Sequence, residues 1–232
     1  FRERISSKRE ATDLEYAAMI KTALDMYTLT PQQIDGAIMA SVVPTITNTL
    51  KRAIEKLIGI ETLVVGPGIK SGLSIRIDNP AQLGSDLVAE AVGALQEYPL
   101  PQIIIDMGTA TTFSVIDQHG FYVGGMITAG MAISAEALVR STSQLSKVDF
   151  EKPKKLIGTN TVDCVKSGLL YATACSIDGM AERIEAELGQ PCTVIITGGL
   201  AGVIKPLCKR GMILDEDLIL KGLLHIYHKN CR

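Results

Sequence analysis

The sequence predicts an α/β fold with mixed rather than purely parallel strands, and three observations predict it. Apolar runs of strand length alternate with stretches of helical periodicity in both halves of the chain. One such run, Ile103-Ile104-Ile105, stops at Asp106-Met107-Gly108-Thr109-Ala110-Thr111-Thr112 and resumes as Phe113-Ser114-Val115-Ile116. That pattern is a β-hairpin, antiparallel at its start. Neither a GxGxxG after the first strand nor a GxxxxGKS/T occurs, which argues against a dinucleotide-binding βαβ series and a Walker-type NTPase.

The elements follow in order. Phe1 to Ser6 is strand-like. Thr12 ahead of Asp13, Leu14 and Glu15 has the form of a capping box, and Leu14, Ala17, Ala18 and Leu24 mark a helix to about Tyr27. Thr30-Pro31 starts a turn, and Gly36 to Val43 reads as a strand. Ile46, Leu50, Ile54 and Leu57 recur at helical spacing, with Gly59 as the stop. Thr62 to Val65 is a short buried strand that enters the loop Gly66-Pro67-Gly68-Ile69-Lys70-Ser71-Gly72. A helix spans about Pro80 to Gln96. Pro99 and Pro101 then mark a domain seam, dividing 1–98 from 99–232. Beyond the hairpin, Gly120 introduces a third strand, Phe121 to Ile127. Helices from about Met131 to Leu145 and from Thr161 to Leu188 are joined by a polar, Lys-rich link at 147–156. Thr193 to Ile196 is a buried strand that runs into Thr197-Gly198-Gly199-Leu200-Ala201. A helix from Asp217 to His228 closes the chain.

Composition narrows the function. The 232 residues suffice for one large domain or two small ones. A formal net charge of −2 argues against a nucleic-acid surface, which needs a basic stripe. Arg2, Arg4, Lys8 and Arg9 do cluster, but Glu3 and Glu10 are interleaved, as in a solvated strand and loop. The cysteines at 164, 175, 192, 208 and 231 include no CxxC pair, so a metal or disulfide framework is not expected and a reducing cytoplasm fits. No apolar run reaches the ~20 residues of a membrane span, and no signal peptide is visible.

Five segments bear chemistry. In the hairpin turn, Gly108 permits tight backbone angles, Thr109, Thr111 and Thr112 offer hydroxyls, and the turn amides can converge on an anion. Asp106, at the strand end, is placed to hold a cation beside phosphate oxygens. An ordinary Thr-rich hairpin has the same appearance. Gly198 and Gly199 end a strand and open a helix, so a flat ring or phosphate can approach the backbone, although a plain tight turn also uses paired glycines. Together the two turns suggest the walls of one nucleotide cleft. Lys70, in its glycine-rich loop, can meet an anion. Asp86 lies near the start of the largely apolar helix that begins Gly84-Ser85-Asp86-Leu87. It either complements the helix dipole or points into a cleft to accept an alcohol's proton. Asn160 or Thr161 is a natural N-cap, and a hydroxyl there can also bind a carboxylate.

These segments, taken in order, resemble type III pantothenate kinases, members of the acetate-and-sugar-kinase, actin and chaperone-ATPase superfamily. The likeness rests on Ser41-Val42-Val43-Pro44, Val65 to Leu73 and Asp78-Asn79-Pro80. It continues through Asp106 to Phe113, Ile157-Gly158-Thr159-Asn160-Thr161, Ser167-Gly168 and Thr197 to Ala201. The resemblance implies two ribonuclease-H-like subdomains, with mixed sheets flanked by helices, closing on ATP, and a homodimer. It implies that pantothenate is phosphorylated on its hydroxyl, the first step towards coenzyme A. Asp86 resembles the general base, Thr109 the ATP-phosphate contact, and Asp106 the residue that binds a monovalent cation, K⁺ or NH₄⁺. Thr161 is similar to the threonine that contacts pantothenate, and residues 84–87 match the segment cradling it. With Mg²⁺ and turn amides, that suffices for phosphoryl transfer, which is mostly positioning and charge neutralisation.

The chain departs from the family's pattern in three places. The family's first strand and its Asp-x-Gly-Asn-Thr phosphate turn are not seen, and Phe1 to Ser6 is expected to be the later strand of that unit. Leu87 stands where an arginine usually follows the base and could pair with the pantothenate carboxylate. Ile77 stands where a tyrosine is common near the substrate. Lys70, Arg76 or a partner-subunit residue is expected to replace that arginine. The expectation is an ATP-dependent pantothenate kinase. The alternatives are a nucleotide-binding, non-catalytic regulator or scaffold, and a kinase for another small hydroxylated metabolite.

Overall fold

Eight strands form two sheets in the computed structural model, which describes residues 1–142, Leu145 and residues 148–231. β1 (Ala37–Met39) and β2 (Thr62–Val64) make a small parallel pair, with Ala37 opposite Thr62. The remaining strands are β3 (Ser74–Ile75), β4 (Gln102–Met107), β5 (Ala110–Ile116), β6 (Phe121–Ala129), β7 (Thr193–Thr197) and β8 (Ile213–Leu214). They form one mixed sheet in the order β3-β6-β5-β4-β7-β8. β4 is antiparallel to β5 and parallel to β7, so the hairpin and a crossover connection meet at the middle of the sheet.

The sheet's two faces follow from strand alternation. Ile103, Ile105, Met107, Phe113 and Val115 pack on one face against Leu170, Ala174 and Ile177 of α5 (Thr161–Leu188). Ile104, Ile116 and Ile195 pack on the other against Ala91 and Ala94 of α3 (Ser85–Glu97) and Leu218 of α7 (Leu218–Asn230). Burial on both sides is why β4 reads as a continuous apolar run. The opposite side of α3, with Val88, Ala89 and Val92, meets Val65, Ile38 and Ile226, so the helix is sandwiched between the small sheet, α7 and the large sheet. α3 and α7 touch backbone to backbone. A Cβ on Gly222 would lie 1.7 Å from the Ala89 carbonyl oxygen, and one on Gly93 would lie 2.5 Å from that of Leu218. α1 (Asp13–Met26) and α2 (Pro44–Ile58) pair through Tyr16, Ala17 and Ala53.

Several elements differ from expectation. Residues 1–8 are irregular rather than a strand: Phe1 stacks on Tyr27 at 3.9 Å, and β1 and β2 pair only with each other among the described residues. The strand read from Gly36 to Val43 shrinks to β1, because Pro44 already opens α2. The helix expected from Pro80 splits into a 3₁₀ turn, Pro80–Gln82, and α3, with Gly84 between helix and turn. β6 runs two residues past Ile127, and α4 (Met131–Arg140) stops short of Leu145. Lys147, expected in the polar link, and Ser143 and Gln144, expected in the helix, lie outside the described residues. β3 comes from before the 98/99 seam yet extends the large sheet, pairing with β6.

Candidate active site

The start of α3 is pinned before it carries any chemistry. Ser85 Oγ accepts the Ser41 N–H at 3.0 Å and donates to the Ser41 carbonyl at 3.1 Å. The Ser41 hydroxyl in turn accepts from Thr47 Oγ1 at 2.6 Å. This clamp ties the helix to the loop entering α2. Asp86 follows in the first turn, its Oδ1 accepting the Leu87 N–H at 2.9 Å. Gly84 leaves space for that carboxylate, since a Cβ there would lie 2.5 Å from Asp86 Oδ1. Four residues on, Glu90 falls on the same helix face.

Opposite α3, the large sheet presents Asp106. Alternation from Ile104 puts it on the α3 face, and its cross-strand neighbours are Thr112 on β5 and Thr197 on β7. Two glycines bracket its carboxylate. A Cβ on Gly108 would lie 3.0 Å from Oδ2, and one on Gly198 would lie 2.4 Å from Oδ1. Gly198 also has φ +94°, a left-handed conformation that disfavours side chains. Asp86, Glu90, Asp106, Gly108, Thr197, Gly198 and Gly199 line one cavity of about 730 Å³, with Arg2, Glu3, Arg4 and Glu216 also on its wall.

The cavity is rich in carboxyl groups, with Arg2 and Arg4 as the cations on its wall. Glu90 is 5% exposed, and its Oε2 has no hydrogen-bond partner among the described residues. Burial, reinforced by Asp106 and Asp86, pushes its carboxyl up to about 9. Burial and then the Asp86 charge raise Asp106 to about 6. Thr112 Oγ1 is likewise buried without a partner.

The other expected residues fall in different places. Thr109 is exposed at the hairpin tip, beside Gly108, with its carbonyl accepting the Gly130 N–H at 3.2 Å. Thr111 points to the α5 face instead. It lines a second cavity of about 520 Å³ with Thr161, Thr128 and Ser134. Asn160 caps α5, its Oδ1 accepting the Asp163 N–H at 2.9 Å, and leaves Thr161 exposed at the first helical position. Ile77 packs into the core with Ile104 and Tyr122. Lys70 is exposed, and its backbone exchanges hydrogen bonds with the Asn230 side chain, both at 3.1 Å. Arg76 sits 3.4 Å above the Phe121 ring, a cation–π pair. Glu90 is the chief residue that sequence reasoning passed over. Its only signal was a carboxylate inside the apolar run Val88-Ala89-Glu90-Ala91-Val92. Arg4, read as solvated, has its guanidinium against Gly199.

A family model described as type III pantothenate kinase matches residues 2–183. The chain belongs to the type III pantothenate kinase family. A type III pantothenate kinase of Halalkalibacterium halodurans is 39% identical over 227 residues, spanning 98% of this chain and 89% of the relative. One of Bacillus cytotoxicus is 42% identical over 227 residues, spanning 98% and 87%. This family member is therefore an enzyme of the kinase class, with the mixed α/β sheets and flanking helices expected of it. Among solved structures, a Baf family transcriptional activator from Campylobacter jejuni shares the fold, with TM-score 0.56, 18% identity and 89% and 88% of the two chains covered. A reductive activator for a corrinoid, iron-sulfur protein aligns at TM-score 0.50 and 14% identity, covering 96% of this chain and 52% of its own.

Proposed function

We propose that this kinase transfers the γ-phosphate of ATP to the hydroxyl of pantothenate, with Asp86 as the general base. The observation that carries the reading is the convergence of Asp86, Asp106, Gly108 and the Gly198-Gly199 turn on one cavity. Asp86, at the pinned start of α3, accepts the hydroxyl proton as the alcohol attacks in line. The amides and hydroxyls at Gly108, Thr109 and Thr112 meet the phosphates, and Gly198 and Gly199 give the nucleotide close backbone approach. Gly84 to Leu87 form the acceptor's cradle. Residues 1–98 and 99–232 serve as the two subdomains flanking this cleft. Five unpaired thiols fit work in a reducing cytoplasm.

The donor set around Asp106 fits a cation: a half-buried carboxylate whose charge is opposed by Asp86, beside an unpartnered Thr112 hydroxyl. Mg²⁺ and a monovalent ion bound in this cleft would neutralise phosphate charge. Asp106 would hold such an ion, and the family resemblance makes it K⁺ or NH₄⁺.

Thr161 lies across the sheet from Asp86, in the other cavity. It serves pantothenate in this reading only if a second copy presents it, which is our reason for proposing a homodimer. Exposed Ile127, Leu156, Ile157 and Val162 lie near that helix start in sequence or on β6 and supply apolar surface for it. A second reading, a kinase for an alcohol without a carboxylate, is favoured by Leu87 and by Arg76 being engaged with Phe121. ADP release in Mg²⁺ and K⁺ buffer, with and without pantothenate, decides between them. Turnover that requires pantothenate supports the first reading, and turnover only with uncharged alcohols supports the second.

A further inference from the structure

We propose that the cavity between the loop at 66–72 and the C-terminal halves of α3 and α7 binds the phosphate group of a small phosphate monoester. The cavity measures about 380 Å³ and shares no lining residue with the cleft that holds Asp86 and Asp106. Its ionisable lining is His225, His228 and Lys229, with no carboxylate among them. A pocket walled by basic groups alone attracts an anion.

The basic groups are placed rather than scattered. His225 and His228 stand three residues apart, on one face of α7. Lys229 folds back over the loop: Gly72 has φ +82°, and a Cβ there would collide with Lys229 Nζ. The Asn230 side chain holds the loop in place by exchanging hydrogen bonds with the Lys70 backbone, both at 3.1 Å. Cations anywhere on the last turn of α7 would offset the helix dipole. The dipole calls for neither an ammonium against the loop nor a lining without acids. Glu97, beside the cavity, lies 3.8 Å from His225 Nε2 and 4.0 Å from Lys221 Nζ, so two cations already share it. Lys229 and His228 form no ion pair among the described residues.

The neutral lining selects the anion. Ser71 Oγ accepts the Leu73 N–H at 3.2 Å, which leaves its own proton to donate, and Gln96 adds an amide. A tetrahedral phosphate can accept from ammonium, imidazole, hydroxyl and amide at once. The volume exceeds that of a bare phosphate, and Val92 and Leu95 make one wall apolar, as suits an organic group on the phosphate.

The chain has three histidines, His119, His225 and His228, so their imidazole proton resonances report the site directly. The nucleotide-free protein is titrated with inorganic phosphate and with phenyl phosphate at fixed pH and ionic strength, with sodium chloride as the control. His225 and His228 are expected to shift saturably, His119, outside the lining, to move less, and phenyl phosphate to bind more tightly than inorganic phosphate. Lys229→Met, a change at an exposed position, is expected to weaken both ligands at least tenfold. His228→Gln is expected to weaken them too, with His225 left as the reporter. No saturable shift, an equal response to chloride, a shift at His119 as large as theirs, or an unchanged Kd in both variants overturns the proposal. Binding of inorganic phosphate alone overturns the assignment to a monoester. Neither titration involves turnover, so the outcome is independent of the reaction proposed above.

Discussion

Glu90 keeps its proton because α3 buries it beside two aspartates, and the sign of its pH effect follows. Its folded value, about 9, lies above the ordinary 4.5. The folded state therefore binds the proton more tightly than the unfolded state. Its contribution is complete below about pH 4.5 and is lost as pH rises through about 9, at up to ~1.4 kcal/mol per unit. In metal-free protein, Glu90→Gln should gain stability relative to the parent as pH goes from 5 to 9. Urea melts across that range check it, and a gap that does not change with pH contradicts it. Asp86 and Asp106 were legible in the sequence because each sits where an element begins or ends. Glu90 was not, because α3 is apolar on both sides and sequence does not say which side lies over the charged end of β4. Arg76 is similar: its ring partner, Phe121, belongs to a distant strand.

At the level of elements, the crossing of α3 and α7 fixes where Asp86 and Glu90 stand. The Gly222 contact with the Ala89 carbonyl leaves no room for a methyl group. Gly222→Ala should therefore cost about 1–3 kcal/mol, the range for overpacking, and displace α3 enough to lower turnover. Gly168 in α5 has no neighbour within 4 Å of a built Cβ. Gly168→Ala should instead stabilise by up to ~1 kcal/mol through helix propensity. Thermal melts of the two variants check the pair, and shifts of the same sign would contradict the packing. The hairpin, α3 and α5 were readable because their periodicity is long and their stops are glycines or prolines. β3 and β8, two residues each, were not: such strands exist only because β6 and β7 offer a paired edge. The Phe1 to Ser6 strand failed because its side chains are engaged elsewhere, Phe1 stacking on Tyr27 and Arg2 pairing with Glu216 and Asp217.

For the whole molecule, the large sheet separates Asp86 from Thr161, so the dimer proposal makes a sharp prediction. Asp86→Asn and Thr161→Ala chains are mixed and allowed to exchange subunits. If Thr161 acts across the interface, half the sites in a mixed dimer regain both native groups, and activity reappears. If each chain uses its own Thr161, mixing restores nothing. Sequence alone set out two walls of a cleft, but the sidedness of the sheet, which decides this question, required the strand register.

Catalysis as proposed turns on Asp86 taking the proton from pantothenate's hydroxyl. Pantothenate-dependent ADP release, measured for the parent and for Asp86→Asn at saturating Mg-ATP, tests it most directly. Asp86→Asn is expected to lower kcat by about 10²- to 10⁴-fold, with nucleotide affinity retained. Normal turnover by Asp86→Asn would contradict it.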